Sequence, residues 1–261
     1  MGPNAKHGTH VAGLAAGITD TVSTKSSFNN PIQIMGLRVV PDGDEYDKDI
    51  ALGIRYAVNN GAKVINMSFG KSFSPEQAWV DSAIRYAASK DVLIIHSAGN
   101  ESYDLNIKSV YPSPYSNIFK DRASNMITVG ASSDPVIAES ILTDFSNFGN
   151  QIVDLLSPGN KIYSTLPNQN FGFLNGTSMS APILSHIAGL IRAYFPKLSA
   201  KEVKEIMIQS CWKPKDENSL FPIPQKDQSK KMNEIAAEGG IINAALCIQN
   251  AANYSSRKNK K

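Results

Sequence analysis

Short apolar runs alternate with helix-like segments along most of the chain. Strands are predicted at Ile34–Val40, Lys63–Ser68, Val92–Ile95, Met126–Gly130 and Ile152–Leu156. Most of these runs are apolar at successive positions, which is typical of strands buried on both faces of a parallel sheet. Parallel strands need right-handed crossovers, so the sequence predicts an α/β fold, doubly wound, with a mostly parallel sheet and helices on both faces.

Periodicity and end signals place helices between these strands. Apolar residues four positions apart predict a helix over Asp47–Asn60, which Gly61 ends. Ser74 followed by Pro75 predicts the start of the next helix, with Ser74 as its N-cap. The other predicted helices are 180–195, 199–210 (opened by a capping box of Ser199 and Glu202) and 241–248. The polar segment 213–240 is predicted to be a surface loop.

Size and composition exclude several classes of protein. The 261 residues suit one domain, assigned to 1–250, followed by a basic, solvated tail over 251–261. That tail supplies part of the net charge of +3, so the body has no electrostatic footprint for nucleic acid. No apolar stretch is long enough for a membrane span. Cys211 and Cys247 are too few for a disulfide scaffold and are expected to be buried free thiols, with a single disulfide as the alternative.

Three small motifs carry candidate chemistry: His7–Gly13, Ser97–Glu101 and Asn175–Pro182. In the third, Ser178 stands at the start of a helix, where free backbone N–H groups favour developing negative charge. Gly176 before it allows a substrate backbone to approach closely. Taken singly, each motif has a structural alternative: Ser178 as a helix N-cap, His7 as a packing residue and Asn100 as a turn residue.

Taken together and in this order, the three motifs resemble those of the subtilisin-like serine proteases, the subtilases. Val64–Gly70 is similar to the substrate-binding strand of that family, and Tyr111-Pro112 stands where the family often has a cis-proline. Segments around Phe145-Ser146 and Ser157-Pro158-Gly159 match as well. The resemblance runs over nearly the whole chain.

The resemblance implies a serine endopeptidase with polypeptide substrates in extended conformation and no cofactor for catalysis. Ser178 would be the nucleophile and His7 its general base, while His10 would be structural. Asn100 would donate its side-chain amide to the oxyanion, together with the Ser178 backbone N–H. The backbones of two segments would flank the peptide: Ser68, Phe69 and Gly70 in one, and Ser97, Ala98 and Gly99 in the other.

Tyr46 lies in the segment that borders the outer substrate subsites in the family. The neighbouring carboxylates Asp44 and Glu45 leave three interpretations open: a preference for basic substrate residues, a solvated acidic loop, or a cation site. A structural calcium ion is therefore compatible with the sequence, but no residue is assigned as a metal ligand. The family suggests a secreted or periplasmic protein, although the chain itself does not define its compartment.

The family triad runs Asp, His, Ser along the chain, yet only six residues precede His7 and none is acidic. The first, Asp-bearing strand of the sheet, an internal one in the family, is therefore expected to be absent from this chain and to belong to a missing N-terminal segment. Asp20, Asp42 and Asp154 are disfavoured as substitutes. The isolated chain is then expected to be poorly stable and weakly active or inactive. The alternative is a pseudoprotease or peptide-binding module that uses the groove without turnover.

Overall fold

A central sheet organises the structure, a computed structural model that describes residues 5–18, 30–40, 43–116, 122–134, 140–237 and 240–258. The helices are α1 (Ala5–Ala16), α2 (Asp47–Asn59), α3 (Gln77–Ser89), α4 (Thr177–Tyr194), α5 (Ala200–Gln209), α6 (Met232–Ile235) and α7 (Ala244–Lys258). The strands are β1 (Val64–Met67), β2 (Leu93–Ser97), β3 (Met126–Ser132), β4 (Leu155–Pro158), β5 (Ile162–Leu166), β6 (Asn170–Leu174), β7 (Cys211–Trp212), β8 (Leu220–Pro222), β9 (Ser229–Lys231) and β10 (Ile241–Ile242).

Within the described residues the central sheet has six strands in the order β1-β2-β3-β4-β10-β7. The first five pair in parallel, and β7 adds to β10 in the antiparallel direction. Every residue of β2 and β3 is buried. Parallel strands buried on both faces confirm the predicted α/β class.

Helices cover both faces of this sheet. Leu93 and Ile95 pack with α4, α5 and α7 on one face, whereas Ile94 packs with α2 and α3 on the other. The alternation follows from the two-residue repeat of a strand. A third apolar cluster lies around Phe148 and Leu156 and takes in α6. No helix in the described ranges is long and apolar enough to cross a membrane.

The predicted strand Ile34–Val40 has no pairing partner among the described residues, and this prediction is wrong. The segment connects the two helical layers, because Ile32 reaches Gly189 in α4 and Val39 reaches Gly53 in α2. An apolar extended segment becomes a strand only when another strand satisfies its backbone groups. Three of its apolar side chains are exposed: Ile34, Met35 and Leu37.

The start of α3 also differs from the prediction. The helix begins at Gln77, and Ser74 does not cap it, since the Ser74 hydroxyl donates to Asp47 Oδ1 at 2.6 Å. The Glu76 N–H donates to Asp47 Oδ2 at 3.0 Å. The Asp47 carboxylate, from α2, therefore accepts the Ser74 hydroxyl and a backbone N–H at the start of α3, and Ser74 does not act as the predicted N-cap. The capping box of Ser199 and Glu202 at α5, by contrast, is confirmed.

Two predictions near the C-terminus are wrong. The segment 213–240 is not a plain surface loop, because it forms β8, β9 and α6 and buries Ile223, Met232 and Ile235. The helix predicted over 241–248 begins at Ala244 and continues to Lys258, which pairs with Glu202 at 2.8 Å. Residues 251–258, which were assigned to a solvated tail, therefore belong to a helix.

Both cysteines are buried and free, as expected. Burial raises the pKa of the Cys211 thiol to about 11 and that of the Cys247 thiol to about 12. The two thiols therefore stay protonated and unreactive at neutral pH.

A buried ionic cluster joins β3, β4 and α5 at the amino ends of the strands. Asp154 pairs with Arg122 at 2.8 Å and with Lys204 at 3.2 Å, and it accepts a hydrogen bond from the Thr128 N–H at 2.8 Å. The carboxylate is nearly inaccessible to solvent, since its side chain is 5% exposed. Removing it would leave two cations without a compensating charge.

Replacement of this carboxylate tests the cluster. We expect Asp154→Asn to lower the free energy of unfolding by about 3–5 kcal/mol, because two largely buried cations lose their partner. Urea unfolding followed by far-UV circular dichroism measures the change. Glu205→Gln, which removes the exposed pair with Lys201, is the control and is expected to change it by less than about 0.5 kcal/mol. Equal losses in the two variants would contradict a buried, energetically important cluster.

Candidate active site

Ser178 is the second residue of α4, whose N-cap is Gly176. The structural alternative, in which Ser178 caps the helix, is therefore wrong, and its side chain is free for other contacts. Gly176 has a φ of 141°, a conformation that residues with a Cβ rarely adopt. The turn at Gly176 places the partly exposed Ser178 in the first helical turn, where backbone N–H groups lack intrahelical partners.

Ser178 lies against the residue that follows β1. The Ser68 hydroxyl donates to the Ser178 carbonyl at 2.9 Å, and the Ser178 hydroxyl donates to the Ser68 carbonyl at 3.3 Å. Asn66 extends this network, since it donates to the Ser68 hydroxyl at 2.9 Å and accepts from Ser185 of α4 at 3.0 Å. These bonds fasten the carboxyl end of β1 to the start of α4.

Asn100 lies beyond the end of β2 and faces the same turn. Its Oδ1 accepts from the Thr177 N–H at 2.9 Å and from the Thr177 hydroxyl at 3.1 Å. The Thr177 Oγ1 in turn accepts from the Gly99 N–H at 3.1 Å. Both lone pairs of Oδ1 are thus used, so the Nδ2 group faces away from Thr177. No described residue accepts a hydrogen bond from this group, and the residue is exposed.

His7 lies in the first turns of α1 and is partly accessible to solvent. Partial burial of the imidazole, followed by the nearby His10, lowers the pKa of His7. Among the described residues, neither a carboxylate nor Ser178 forms a hydrogen bond with this imidazole. The structure therefore brings Ser178 and Asn100 together but gives His7 no hydrogen-bonding partner in the site.

His10 anchors α1 to the β5–β6 hairpin. It is fully buried, and its Nε2 donates to the Gly172 carbonyl at 3.1 Å. Two hydroxyls of the hairpin also donate to the helix backbone: that of Ser164 to the His10 carbonyl at 2.9 Å and that of Thr165 to the Thr9 carbonyl at 2.8 Å. These contacts agree with the expected structural role of His10.

Of the disfavoured acids, the one that the structure describes, Asp154, does not supply a partner for His7. Asp20 and Asp42 lie outside the described residues. Asp154 immediately precedes β4, at the amino end of the strand, whereas Ser68 and Ser97 stand at the carboxyl ends of β1 and β2. In a parallel sheet the amino and carboxyl ends of the strands lie at opposite edges, so Asp154 is on the far side of the sheet from Ser68 and Ser97.

The two predicted peptide-binding segments follow neighbouring parallel strands. In the first, Ser68 is buried, Phe69 half-buried and Gly70 exposed; in the second, Ser97 and Ala98 are buried and Gly99 is half-buried. His96 of β2 donates from Nε2 to the Phe69 carbonyl at 2.9 Å and so ties the first segment to the second strand. Nearby, the Tyr111-Pro112 bond is cis, as the resemblance implies.

Tyr46 precedes α2 and is 62% exposed. Beside it, Lys71 donates to the Glu45 carbonyl at 2.8 Å and pairs with Asp47 at 2.7 Å. Burial alone would raise the pKa of Asp47, but hydrogen bonds from Lys71, Ser74 and the Glu76 N–H outweigh it and hold that pKa below its ordinary value. Within the described parts of the chain, no group of three or more His, Cys, Asp or Glu side chains is placed to hold a metal ion.

Comparison with known proteins decides the family. The family model described as "Subtilase family" matches residues 2–252. The chain belongs to the subtilases. Thermitase from Thermoactinomyces vulgaris is 35% identical over 186 residues, which cover 71% of this chain and 60% of thermitase. The cell wall-associated protease of Bacillus subtilis is 36% identical over 202 residues, 77% of this chain but 20% of that protein.

Solved structures of other proteins share the fold of this subtilase. The prenylagaramide maturation protease PagA superposes with a TM-score of 0.69 at 24% identity, over 94% of this chain and 82% of PagA. A cold-adapted subtilisin-like serine proteinase gives a TM-score of 0.64 at 27% identity, over 82% and 70% of the two chains. The chain nonetheless matches from a fifth to three fifths of the lengths of the first curated relatives.

Two contributors to the site were not identified from the sequence. His96 of β2 holds a carbonyl of the predicted peptide-binding segment, that of Phe69. Asn147, which follows Phe145-Ser146, binds the loop that carries Asn100. Neither role leaves a local sequence signal, because both depend on contacts between segments 27 or more residues apart.

Acid should weaken the fold through His96. Burial, partly offset by the hydrogen bond to Phe69, lowers the pKa of His96 from 6.5 to about 4. The unfolded chain therefore binds a proton at pH values where the folded chain does not, and stability falls as the pH drops from about 6.5 to about 4, by about 3 kcal/mol in total. Urea unfolding at several pH values measures this loss.

His96→Gln is the matched variant, because its amide can still donate to the Phe69 carbonyl but does not titrate. The difference in unfolding free energy between the parent chain and this variant should change by about 3 kcal/mol over that range. His10, whose pKa burial also lowers, is present in both proteins and cancels. A difference that stays constant with pH would show that His96 is not buried in its neutral form.

Proposed function

We propose that residues 1–250 form the peptidase domain of a serine endopeptidase, with Ser178 as nucleophile, His7 as general base and Asn100 as oxyanion donor. The observation that supports this best is the arrangement of Asn100. Two hydrogen bonds from Thr177 occupy its Oδ1, so its Nδ2 remains available beside Ser178. A donor held in advance, where negative charge develops, stabilises a tetrahedral intermediate without reorganisation.

Peptide binding would follow the two backbone segments. An extended substrate pairs with the backbone of Ser68–Gly70 on one side and Ser97–Gly99 on the other, and pockets between them select side chains. This places the scissile carbonyl carbon over the Ser178 hydroxyl and its oxygen between Asn100 Nδ2 and the Ser178 N–H. Tyr46 borders the outer part of the groove, where the exposed ring offers an apolar contact.

In the proposed reaction the Ser178 oxygen attacks the scissile carbonyl carbon, and its proton passes to His7. The imidazolium then donates that proton to the leaving amine nitrogen as the peptide bond breaks. Water hydrolyses the acyl-enzyme by the same steps in reverse order. The Ser178 hydroxyl must first leave the Ser68 carbonyl, to which it donates at 3.3 Å, and turn to His7.

A carboxylate to orient His7 would be carried by a further strand beside β1. Two features support a place for it. The outer edge of β1 pairs with no described strand, and the extended segment 30–40 presents exposed Ile34, Met35 and Leu37 without a described strand beside it. A strand between them would bury apolar surface and pair with the edge of β1. Without it, the 261-residue chain is expected to be weakly active.

Peptide binding without turnover is the second candidate function. It is favoured by one observation: the Ser178 hydroxyl donates to Ser68 rather than to His7, and no described carboxylate orients His7. A groove alone suffices for such a role, whereas hydrolysis requires the base and nucleophile to meet.

A serine-directed fluorophosphonate probe distinguishes the two functions. The proposed peptidase should form a covalent adduct at Ser178, located by peptide mass spectrometry. His7→Ala should slow adduct formation at least a hundredfold, because the general base contributes on that order. Ser178→Ala should abolish it.

His186→Ala is the control for the base, because His186 bonds to the Ala15 carbonyl and is assigned no catalytic role. It should label at a rate within about threefold of the parent chain. Labelling that is equal in the parent chain and His7→Ala, or absent from both while a fluorescent peptide still binds, would favour binding without turnover.

A further inference from the structure

We propose that Asn147 is a positioning residue for the candidate oxyanion site, because it fixes the loop 98–103 on which Asn100 is carried. Asn147 lies 47 positions after Asn100 in the sequence. None of its hydrogen bonds with described residues involves Ser178. The inference rests on the proposed function only in the role that it gives Asn100; the hold on the loop is a property of the fold.

The Asn147 side chain uses its full hydrogen-bonding capacity on this loop. Its Nδ2 donates to the Ala98 carbonyl at 2.8 Å and to the Glu101 carboxylate at 2.7 Å. Its Oδ1 accepts from the Glu101 N–H at 3.2 Å and from the Tyr103 N–H at 2.7 Å. A carboxamide has two donor hydrogens and two acceptor lone pairs, and all four are matched here.

The backbone of the same residue adds a fifth contact, from the Asn147 N–H to the Gly99 carbonyl at 3.1 Å. The side chain is fully buried, and a Cβ built on Gly99 would lie 2.4 Å from Asn147 Nδ2. Gly99 also has a φ of 100°. The loop therefore wraps closely around one buried amide, and no side chain fits at position 99 without a shift.

Asn100 is held from two sides as a result. Thr177 fixes the oxygen of its side chain, and Asn147 fixes the backbone on either side of it, at Gly99 and Glu101. A 1 Å displacement of this backbone would move the amide donor out of hydrogen-bonding range of a developing oxyanion. Asn147 is thus expected to act through Asn100 and not on the substrate.

Asn147→Ser tests the proposal, because serine removes the four side-chain contacts but remains polar and small. Hydrogen exchange of the Glu101 and Tyr103 amides, which donate to Asn147, should accelerate at least tenfold. The rate constant for fluorophosphonate labelling of Ser178 should fall at least about tenfold, and by no more than the roughly 10² to 10³ that follows complete loss of an oxyanion donor. Asn150→Ser, an exposed asparagine three residues later, is the control and should leave both rates within about twofold.

A double-mutant cycle separates positioning from general loosening of the fold. In the Asn100→Ala background, Asn147→Ser should slow labelling by less than about twofold, because the donor through which it acts is gone. Losses that multiply in the double variant, or unchanged exchange at Glu101 and Tyr103, would overturn the proposal. If the parent chain does not label, the proposed peptidase function fails, and amide exchange still decides whether Asn147 holds the loop.

A second substitution covers the case in which Asn147→Ser does not fold. Asn147→Asp keeps the shape and the two acceptor contacts but replaces both donors and places a charge against Glu101. It should slow labelling at least tenfold, and Glu101→Gln should restore part of the rate by supplying a donor to the new carboxylate. Failure of Glu101→Gln to restore any of the rate would contradict the assigned contact.

Discussion

The first turn of α4 is fastened to the carboxyl ends of β1 and β2, and the candidate site depends on this attachment. Ser68 bonds the Ser178 backbone from β1, while Asn100 bonds the Thr177 backbone from beyond β2. Because β1 and β2 are parallel neighbours, both loops emerge at one edge of the sheet. The turn at Gly176 places the start of α4 at that edge. Ser68 and Asn100, which are distant from α4 in the sequence, therefore contact its first turn.

The opposite side of the site is less constrained. His7 lies in α1, and the β5–β6 hairpin holds this helix through His10. No described carboxylate or serine forms a hydrogen bond with the His7 imidazole. Among the described residues the outer edge of β1 has no partner strand, and segment 30–40 leaves apolar side chains exposed. The proposed strand beside β1, carrying an acid that orients His7, would account for both features. The proposed oxyanion site needs no such strand, because its hydrogen bonds join α4 to the segments that follow β1 and β2.

Periodicity predicted the layers well, since burial on both faces leaves the same apolar pattern in any parallel strand. It succeeded for β2, β3 and α2 and for the capping box of α5, where the signals are local. It failed at Ile34–Val40, whose apolar residues have no described partner, and at 213–240, whose few apolar residues Ile223, Met232 and Ile235 are buried by distant segments. Ser178 and Asn100 were predicted as site residues from the resemblance of ordered motifs, whereas the contacts of Asn147 and His96 are bonds that no local pattern encodes.

The crystal structure of this chain after reaction with a peptidyl diphenyl phosphonate tests the central claim most directly. The phosphorus should be bonded to Ser178 Oγ, with the phosphonyl oxygen about 3 Å from both Asn100 Nδ2 and the Ser178 backbone nitrogen. The peptide should run extended along Ser68–Gly70. A phosphonyl oxygen that points to solvent, with the Asn100 amide out of hydrogen-bonding range, would contradict the account.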